Sequence, residues 1–313
     1  MLAKRKPEND VQLHGYIEQC LGFNIARRAV CEEHTAPFQL IADLFFDRVQ
    51  RAVALGNRGG GKTRMMSIVE WLKACHPPKE RTHIFHAGGI DEQAKRGYGY
   101  VREYIGKPEF AGQVDPRDSL MSKTEWANGS LLEVHAATMN QTSGAHPDLK
   151  VGDELEKWHW DVYQQFLGMG TSEDVQTVFI STREKAYGLM QTVLDEAAQR
   201  DIIVYSYCVW ETKRPCRWCE KAACPLWTPC QGKYQHSDGH RSIKNIADKY
   251  LLSSEETWAS QHLCLRPGSQ GLCFPNLVTE PGDSQHSNVT LEAVYNPEYP
   301  IQCWTDDNVA EPR

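Results

Sequence analysis

Gly56-Asn57-Arg58-Gly59-Gly60-Gly61-Lys62-Thr63 satisfies G-x-x-x-x-G-K-[ST] at every fixed position. A short apolar run, Ala-Val-Ala-Leu after Arg51, leads into it. A helical pattern from Thr63 to Cys75, carrying Met65, Met66, Ile68, Val69 and Leu72, leads out and is closed by Pro77-Pro78. A strand, a glycine loop and a helix in this order are what a phosphate cradle requires. The glycines let successive backbone N–H groups turn toward one anion, and the helix N-terminus adds the positive end of its dipole. Lys62 is placed to neutralise β/γ oxygens and the Thr63 hydroxyl to hold Mg²⁺. A plain glycine-rich turn would not need Lys-Thr at its end.

Outward from the loop, the next requirement is an acidic pair at the end of a neighbouring strand. Leu149-Lys150-Val151-Gly152-Asp153-Glu154 supplies one, less apolar than usual because of Lys150 and Gly152. Asp153 would hold Mg²⁺ and Glu154 would polarise the attacking water. An acidic first helical turn of Asp153, Glu154 and Glu156 is the plainer reading of the same residues. A third strand end, Val178 to Arg183, carries Ser181-Thr182 where nucleotide state can be sensed, although a simple strand-end turn accounts for them almost as well.

The remaining pattern alternates. Apolar spacing predicts a helix from Phe38 to Val49 after Pro37, a strand at Thr82–Ala87 and a helix at Glu92–Ile105. Asn128-Gly129 between Lys123–Ala127 and Leu131–Ala136 predicts a hairpin. Strands are expected at Leu149–Val151 and Val175–Ile180, and a helical stretch at Ile243–Gln261. Strands alternating with helices indicate an α/β fold with a mostly parallel sheet flanked by helices. Residues 1–30, polar and mixed, read as a loosely attached lead-in.

At 313 residues the chain is one large domain or two, and 41% apolar with 24% charged residues is ordinary for a globular protein. With 41 acidic against 34 basic residues the formal charge is −7, which excludes a polybasic protein but not a local basic patch. The N-terminus has no apolar signal region, and no run of 18 apolar residues occurs, so secretory and membrane-spanning readings are poor. Eleven cysteines without a signal peptide favour metal binding over a disulfide framework. Four of them, Cys216-x-x-Cys219, Cys224 and Cys230, fall within fifteen positions and suit a closed, structural zinc site. An iron–sulfur cluster is the alternative, and Cys208, His236 and His240 are alternative ligands. The surrounding Lys213, Arg214, Arg217, Lys221 and Lys233 either touch DNA phosphates or form a solvated rim.

Taken together, Arg58 to Thr63, the Asn128-Gly129-Ser130 hairpin, Ser143-Gly144-Ala145-His146-Pro147 before Asp153-Glu154, and Ser181-Thr182 resemble the large subunit of viral terminase, the DNA-packaging motor of tailed bacteriophages. Trp258–Leu277, ending Gly271-Leu272-Cys273-Phe274-Pro275-Asn276-Leu277, is similar to the region joining that family's motor to its nuclease. The resemblance covers roughly residues 34 to 280. It implies a P-loop NTPase fold of the ASCE type, with Gly56–Thr63 as Walker A loop, Asp153 as Walker B aspartate, Glu154 as catalytic glutamate and Ser181-Thr182 as coupling motif. Arg58 becomes a cis arginine acting on the γ-phosphate, and Pro37-Phe38-Gln39 meets adenine, with Gln39 reading its edge.

The organisation expected is a lead-in (1–33), an ATPase motor (34–207), a zinc-binding insert (208–240), a linker (241–297) and the start of a truncated RNase-H-like nuclease domain (298–313) with Asp306 or Asp307 as its first carboxylate. Too little chain follows Asp307 to build a sheet, so no nuclease activity is expected from this chain alone; an acidic tail is the alternative for that pair. The implied cofactors are ATP, Mg²⁺ and Zn²⁺. The implied partners are double-stranded DNA, a portal protein, a small terminase subunit and further copies in a ring, with no membrane, in the cytoplasm of an infected host cell. Two other readings compete: a helicase-like DNA-dependent ATPase with a metal-binding insert, and a zinc-stabilised binding module with an inactive nucleotide fold. The intact Lys62, Thr63, Asp153 and Glu154 weigh against the second.

Overall fold

In a computed structural model of the chain the described residues are 2–267, without 120–121, 143–145, 171–173, 218 and 220, and they belong to one compact unit. Ser143 to Ala145, the half of Trp258–Leu277 from position 268 onward, and Asp306 and Asp307 lie outside them.

Among the described residues seven strands form one sheet: β1 (Arg51–Gly56), β2 (His83–Gly88), β3 (Lys123–Glu125), β4 (Leu131–Ala136), β5 (Leu149–Asp153), β6 (Gln176–Ser181) and β7 (Ile203–Tyr207). Their order is β3-β4-β2-β5-β6-β1-β7, parallel except for the β3–β4 pair. That pair is the expected hairpin, its Gly129 at φ +81° in the turn. β6 separates the phosphate-loop strand β1 from the acidic strand β5, with Val53 opposite Phe179 and Val151 opposite Val178. All three strands therefore end at the same edge, and their C-terminal residues share one crevice.

Helices cover both faces, as a parallel sheet demands. On one side lie α1 (Asp10–Tyr16), α2 (Pro37–Phe45), α3 (Lys62–Cys75) and α4 (Asp91–Ile105), around Trp71, Tyr104 and Ile68. On the other lie α5 (Trp160–Gly168), α6 (Leu189–Glu196) and α7 (Val209–Thr212), with α9 (Ile243–Leu252) beyond the short α8 (Trp227–Cys230) and with Phe166, Phe179 and Trp210 in the core.

Three expectations need correction. The helix predicted to reach Val49 ends at Phe45, because Asp47 takes a left-handed φ of +57° to turn the chain into β1. The sequence reading contains no strand at 203–207. β7 forms there as an edge strand whose Ile203 and Val204 stay exposed while Tyr205 and Tyr207 are buried. The lead-in is not loose: Leu13, Tyr16, Ile17, Cys20 and Leu21 make one helical stripe buried in the core, followed by Phe23 and Ile25. Polar residues between them had hidden the period.

The two residues that made β5 look unlike a buried strand have specific tasks. Gly152 lies under the Phe179 ring, where a Cβ would come within 2.6 Å. Lys150 is buried and its Nζ donates to the carbonyls of Phe166, Leu167 and Met169 at 2.8–3.1 Å, capping the C-terminus of α5. Lys150→Met keeps the apolar stem but leaves those acceptors unpaired, and should lower unfolding free energy by about 1–3 kcal/mol in urea titration. Stability equal to the parent would show that the cap contributes nothing.

Candidate active site

The phosphate loop runs from the buried end of β1 to the first residue of α3. Gly59 (φ +72°) and Gly61 (φ +87°) adopt backbone conformations that a side chain would strain, which is why the loop is glycine-rich. Asn57 is fully buried, and its N–H donates to Tyr207 O at the end of β7, at 3.2 Å. The Arg58 N–H donates to Gln261 O at 2.7 Å, and Arg241 Nη1 donates to Arg58 O at 3.2 Å. Residues far downstream thus hold the loop in shape. From the other side Phe23 packs against Gly61 and beneath the Arg64 guanidinium. Arg241, Gln261 and Phe23 were invisible as site residues in the sequence, because nothing in their local pattern marks them.

Lys62 is buried and donates to Gly56 O and Asn57 O at 3.1 and 3.2 Å. Burial pushes its pKa down, opposed by Glu154 and Asp153. One residue on, Thr63 Oγ1 donates to Asp153 Oδ2 at 2.7 Å, joining positions ninety residues apart. Asp153 Oδ1 is buried and has no hydrogen-bond partner. Thr63 and an orphan carboxylate oxygen beside the glycine loop fit a divalent cation, since hard oxygen donors are what Mg²⁺ takes.

Glu154 has φ +55° and ψ +47°, a left-handed backbone that costs on the order of 1–3 kcal/mol for a non-glycine residue. The strain turns the chain sharply out of β5. Burial raises the Glu154 pKa, with Lys62 acting in the opposite direction. The plainer reading of an acidic first helical turn is not what forms: Asp153 ends the strand, and a short 3-10 turn, Leu155–Lys157, follows Glu154.

Ser181 and Thr182 are buried at the adjacent end of β6. Ser181 Oγ accepts from Glu156 N at 3.1 Å, which ties the end of β6 to the turn carrying Glu154. Thr182 Oγ1 contacts Glu184 at 3.4 Å. Glu184 was not anticipated. It pairs with Arg58 at 3.0 Å and with Lys157, so its carboxylate bridges the phosphate loop and the segments after β5 and β6. Behind Asp153 lies another feature the sequence did not reveal, a fully buried Glu70–His86 pair at 2.5 Å with His86 Nε2 3.9 Å from Asp153. Burial works against a charged His86, but Glu70, with Asp153 beyond, outweighs it and holds the pKa above the ordinary value. Gln39 is exposed on α2 and donates to Asp43 at 2.8 Å, one turn along the same helix.

The four cysteines of the insert, Cys216, Cys219, Cys224 and Cys230, line one cavity of about 300 Å³ with Pro215, Pro225, Trp227 and Ile243. They form no disulfide. Among the described residues, however, the set of thiol, imidazole and carboxylate atoms already gathered within 4.8 Å of one another is a different one, Cys31, His34, Cys208 and Glu211. His240 instead packs on Phe23, ring centroids 4.9 Å apart, and the His236 carbonyl lies 3.5 Å from Arg28 Nη1.

No protein-family model and no curated protein sequence matches this chain. Solved structures do. The HK97 bacteriophage large terminase superposes with a TM-score of 0.56 at 18% identity, over 82% of this chain and 55% of that one. The ATPase domain of the Thermus phage P74-26 large terminase, in a mutant form, gives 0.52 at 13% identity, over 83% of this chain and 99% of the domain. The large terminase of a thermophilic bacteriophage in complex with ATP-gamma-S gives 0.50 at 9% identity, over 85% and 54%. The chain therefore has the fold of large-terminase ATPase domains, and it spans about half the length of the HK97 protein.

Proposed function

We propose that this chain is the ATPase motor of a terminase-type DNA-packaging machine, hydrolysing ATP and spending the cycle on moving double-stranded DNA. The observation that carries the reading is the 2.7 Å bond from Thr63 Oγ1 to Asp153 Oδ2, beside a loop whose lysine and glycines are all intact. The strand between β1 and β5 supports the ASCE class. The thermophilic-phage terminase that binds ATP-gamma-S supports the choice of nucleotide.

In this reading the N–H groups of Gly59 to Thr63 and the N-terminus of α3 hold the β-phosphate, and Lys62 swings from its carbonyl partners to the β/γ oxygens. Thr63 and Asp153 would hold Mg²⁺, which would supply charge neutralisation on the phosphates when bound. Glu154 accepts the proton of the attacking water. Arg58 leaves Glu184 for the γ-phosphate, and Glu184 keeps Lys157. Loss of the γ-phosphate then reaches Ser181 and Thr182 through that shared carboxylate and through the Glu156–Ser181 bond. Gln39 reads the adenine edge only after releasing Asp43. Portal protein, small subunit and a ring of further copies are the partners this activity needs.

A DNA-stimulated ATPase assay on the purified chain tests the proposal. Mg²⁺-dependent hydrolysis that rises with double-stranded DNA supports it, and failure to bind ATP at all sinks it.

The four insert thiols that share one cavity support a structural zinc. Elemental analysis should find one equivalent of zinc lost in Cys216→Ser/Cys219→Ser, whereas unchanged metal content in that variant would rule the site out. A brown protein would assign the thiols to iron–sulfur instead.

A further inference from the structure

We propose that Cys31, His34, Cys208 and Glu211 form a second metal site, for Zn²⁺ or a cation of similar softness, which staples the N-terminal segment to the end of β7.

The ligand atoms come from two half-sites of equal spacing, Cys31-x-x-His34 and Cys208-x-x-Glu211, 177 residues apart in the chain. Each pairs a thiol with a second donor three residues later, the spacing by which a tight turn or first helical turn presents two ligands to one ion. The first half-site is a turn, with His34 N donating to Cys31 O at 3.4 Å. The second is the start of α7, with Cys208 at the N-cap and its Sγ accepting from Trp210 N at 3.3 Å. That N–H partly offsets the burial that raises the Cys208 pKa, and coordination itself displaces the thiol proton.

The distances suit one ion. The sulfurs of Cys31 and Cys208 are 3.6 Å apart, and His34 Nδ1 is 3.0 Å from Glu211 Oε2. Tetrahedral zinc with Zn–S about 2.3 Å and Zn–N or Zn–O about 2.1 Å would set these separations at about 3.8 and 3.4 Å. A disulfide would need the sulfurs at about 2.05 Å. Admitting the ion opens these two pairs slightly and draws all four donors, now within 4.8 Å of one another, to separations of about 3.4–3.8 Å. Glu211 is anchored for such a role: Oε1 accepts from Val30 N (3.2 Å) and Cys31 N (2.8 Å), and Oε2 from Cys208 N (2.7 Å) as well as from His34. Cys208 and Glu211 are fully buried, while Cys31 and His34 keep partial exposure, which leaves an entry path. Capping alone explains Glu211 and its backbone donors, but it does not require two thiols 177 residues apart in the sequence to share one pocket.

Zn²⁺ uptake releases the two thiol protons and the Nδ1 proton of His34. Despite burial, contacts with Cys31 and Glu211 raise the His34 pKa to about 9. The bound imidazole is neutral, with its remaining proton on Nε2. The site lies one residue from Tyr207, whose carbonyl receives the Asn57 N–H of the phosphate loop, and beside Thr35, bonded to Ser206 in both directions. The metal therefore tethers the buried lead-in to the strand that supports the loop.

The test is metal content and ligand type in the full chain. Cys31→Ser/Cys208→Ser should lose one zinc equivalent relative to the parent, independently of the one lost in Cys216→Ser/Cys219→Ser. Zinc X-ray absorption of the unmutated chain gives a readout that survives misfolding of either variant. Two sites average three sulfurs and one nitrogen or oxygen per zinc, and this site alone gives two and two. An all-sulfur shell, full metal retention in Cys31→Ser/Cys208→Ser, or a metal-free protein that takes up no zinc after reduction overturns the proposal.

Discussion

Glu154→Gln is expected to bind ATP as the parent does and to hydrolyse it about 10²–10⁴-fold more slowly, the usual worth of a positioned general base. The substitution keeps size and most hydrogen-bonding capacity, so the left-handed turn at φ +55° that aims the side chain out of β5 should survive. The loss then reports charge alone. Because burial raises the Glu154 pKa, the acid limb of the parent's rate profile should fall above the ordinary glutamate range, with activity lost as pH drops through it. That limb should vanish in the glutamine variant. Measuring kcat against pH for both proteins checks the assignment, and normal turnover in Glu154→Gln removes it.

Lys62→Ala acts one step earlier. Removing a charged partner from a buried ionic contact costs about 2–5 kcal/mol, which predicts nucleotide affinity weakened by roughly 30-fold to several thousandfold. Lys62→Ala leaves the Gly56 and Asn57 carbonyls without their ammonium donor while removing a buried charge whose pKa burial lowers, so each protein is compared with itself, with and without nucleotide. What the variant should lose is the rise in melting temperature on adding Mg·ATP, because a ligand stabilises only in proportion to its occupancy. A full nucleotide-induced shift in Lys62→Ala would place the phosphate elsewhere.

The two substitutions separate binding from chemistry at residues the sequence already names. The geometry adds Glu184, which joins Arg58 to Lys157 across the crevice. In the proposed cycle this carboxylate would compete with phosphate for the loop arginine. That competition would give Ser181-Thr182, next to Glu184, a physical route to nucleotide state through one shared side chain.

What the sequence by itself determined is whatever depends on short spacing. The loop from Gly56 to Thr63, the hairpin at Asn128-Gly129 and the apolar strand runs are local, and each was legible because the backbone conformation it needs restricts the residues allowed there. Asp153-Glu154 was legible only beside a full phosphate loop, since an acidic pair alone suits a helix start equally well. Tertiary structure alone decided three things. It buried the lead-in, whose apolar stripe is diluted by polar neighbours and shows itself only once Leu13, Tyr16 and Ile17 meet the core. It gave Lys150 its place as a cap on α5, a contact between residues sixteen to nineteen positions apart that no periodicity encodes. It also brought Cys31 and His34 to Cys208 and Glu211, while the conspicuous cysteine cluster downstream lines a looser cavity. Clustering in sequence measures only local concentration. The distance between two thiols is set by how the chain between them folds, and here that chain carries all seven strands of the described sheet.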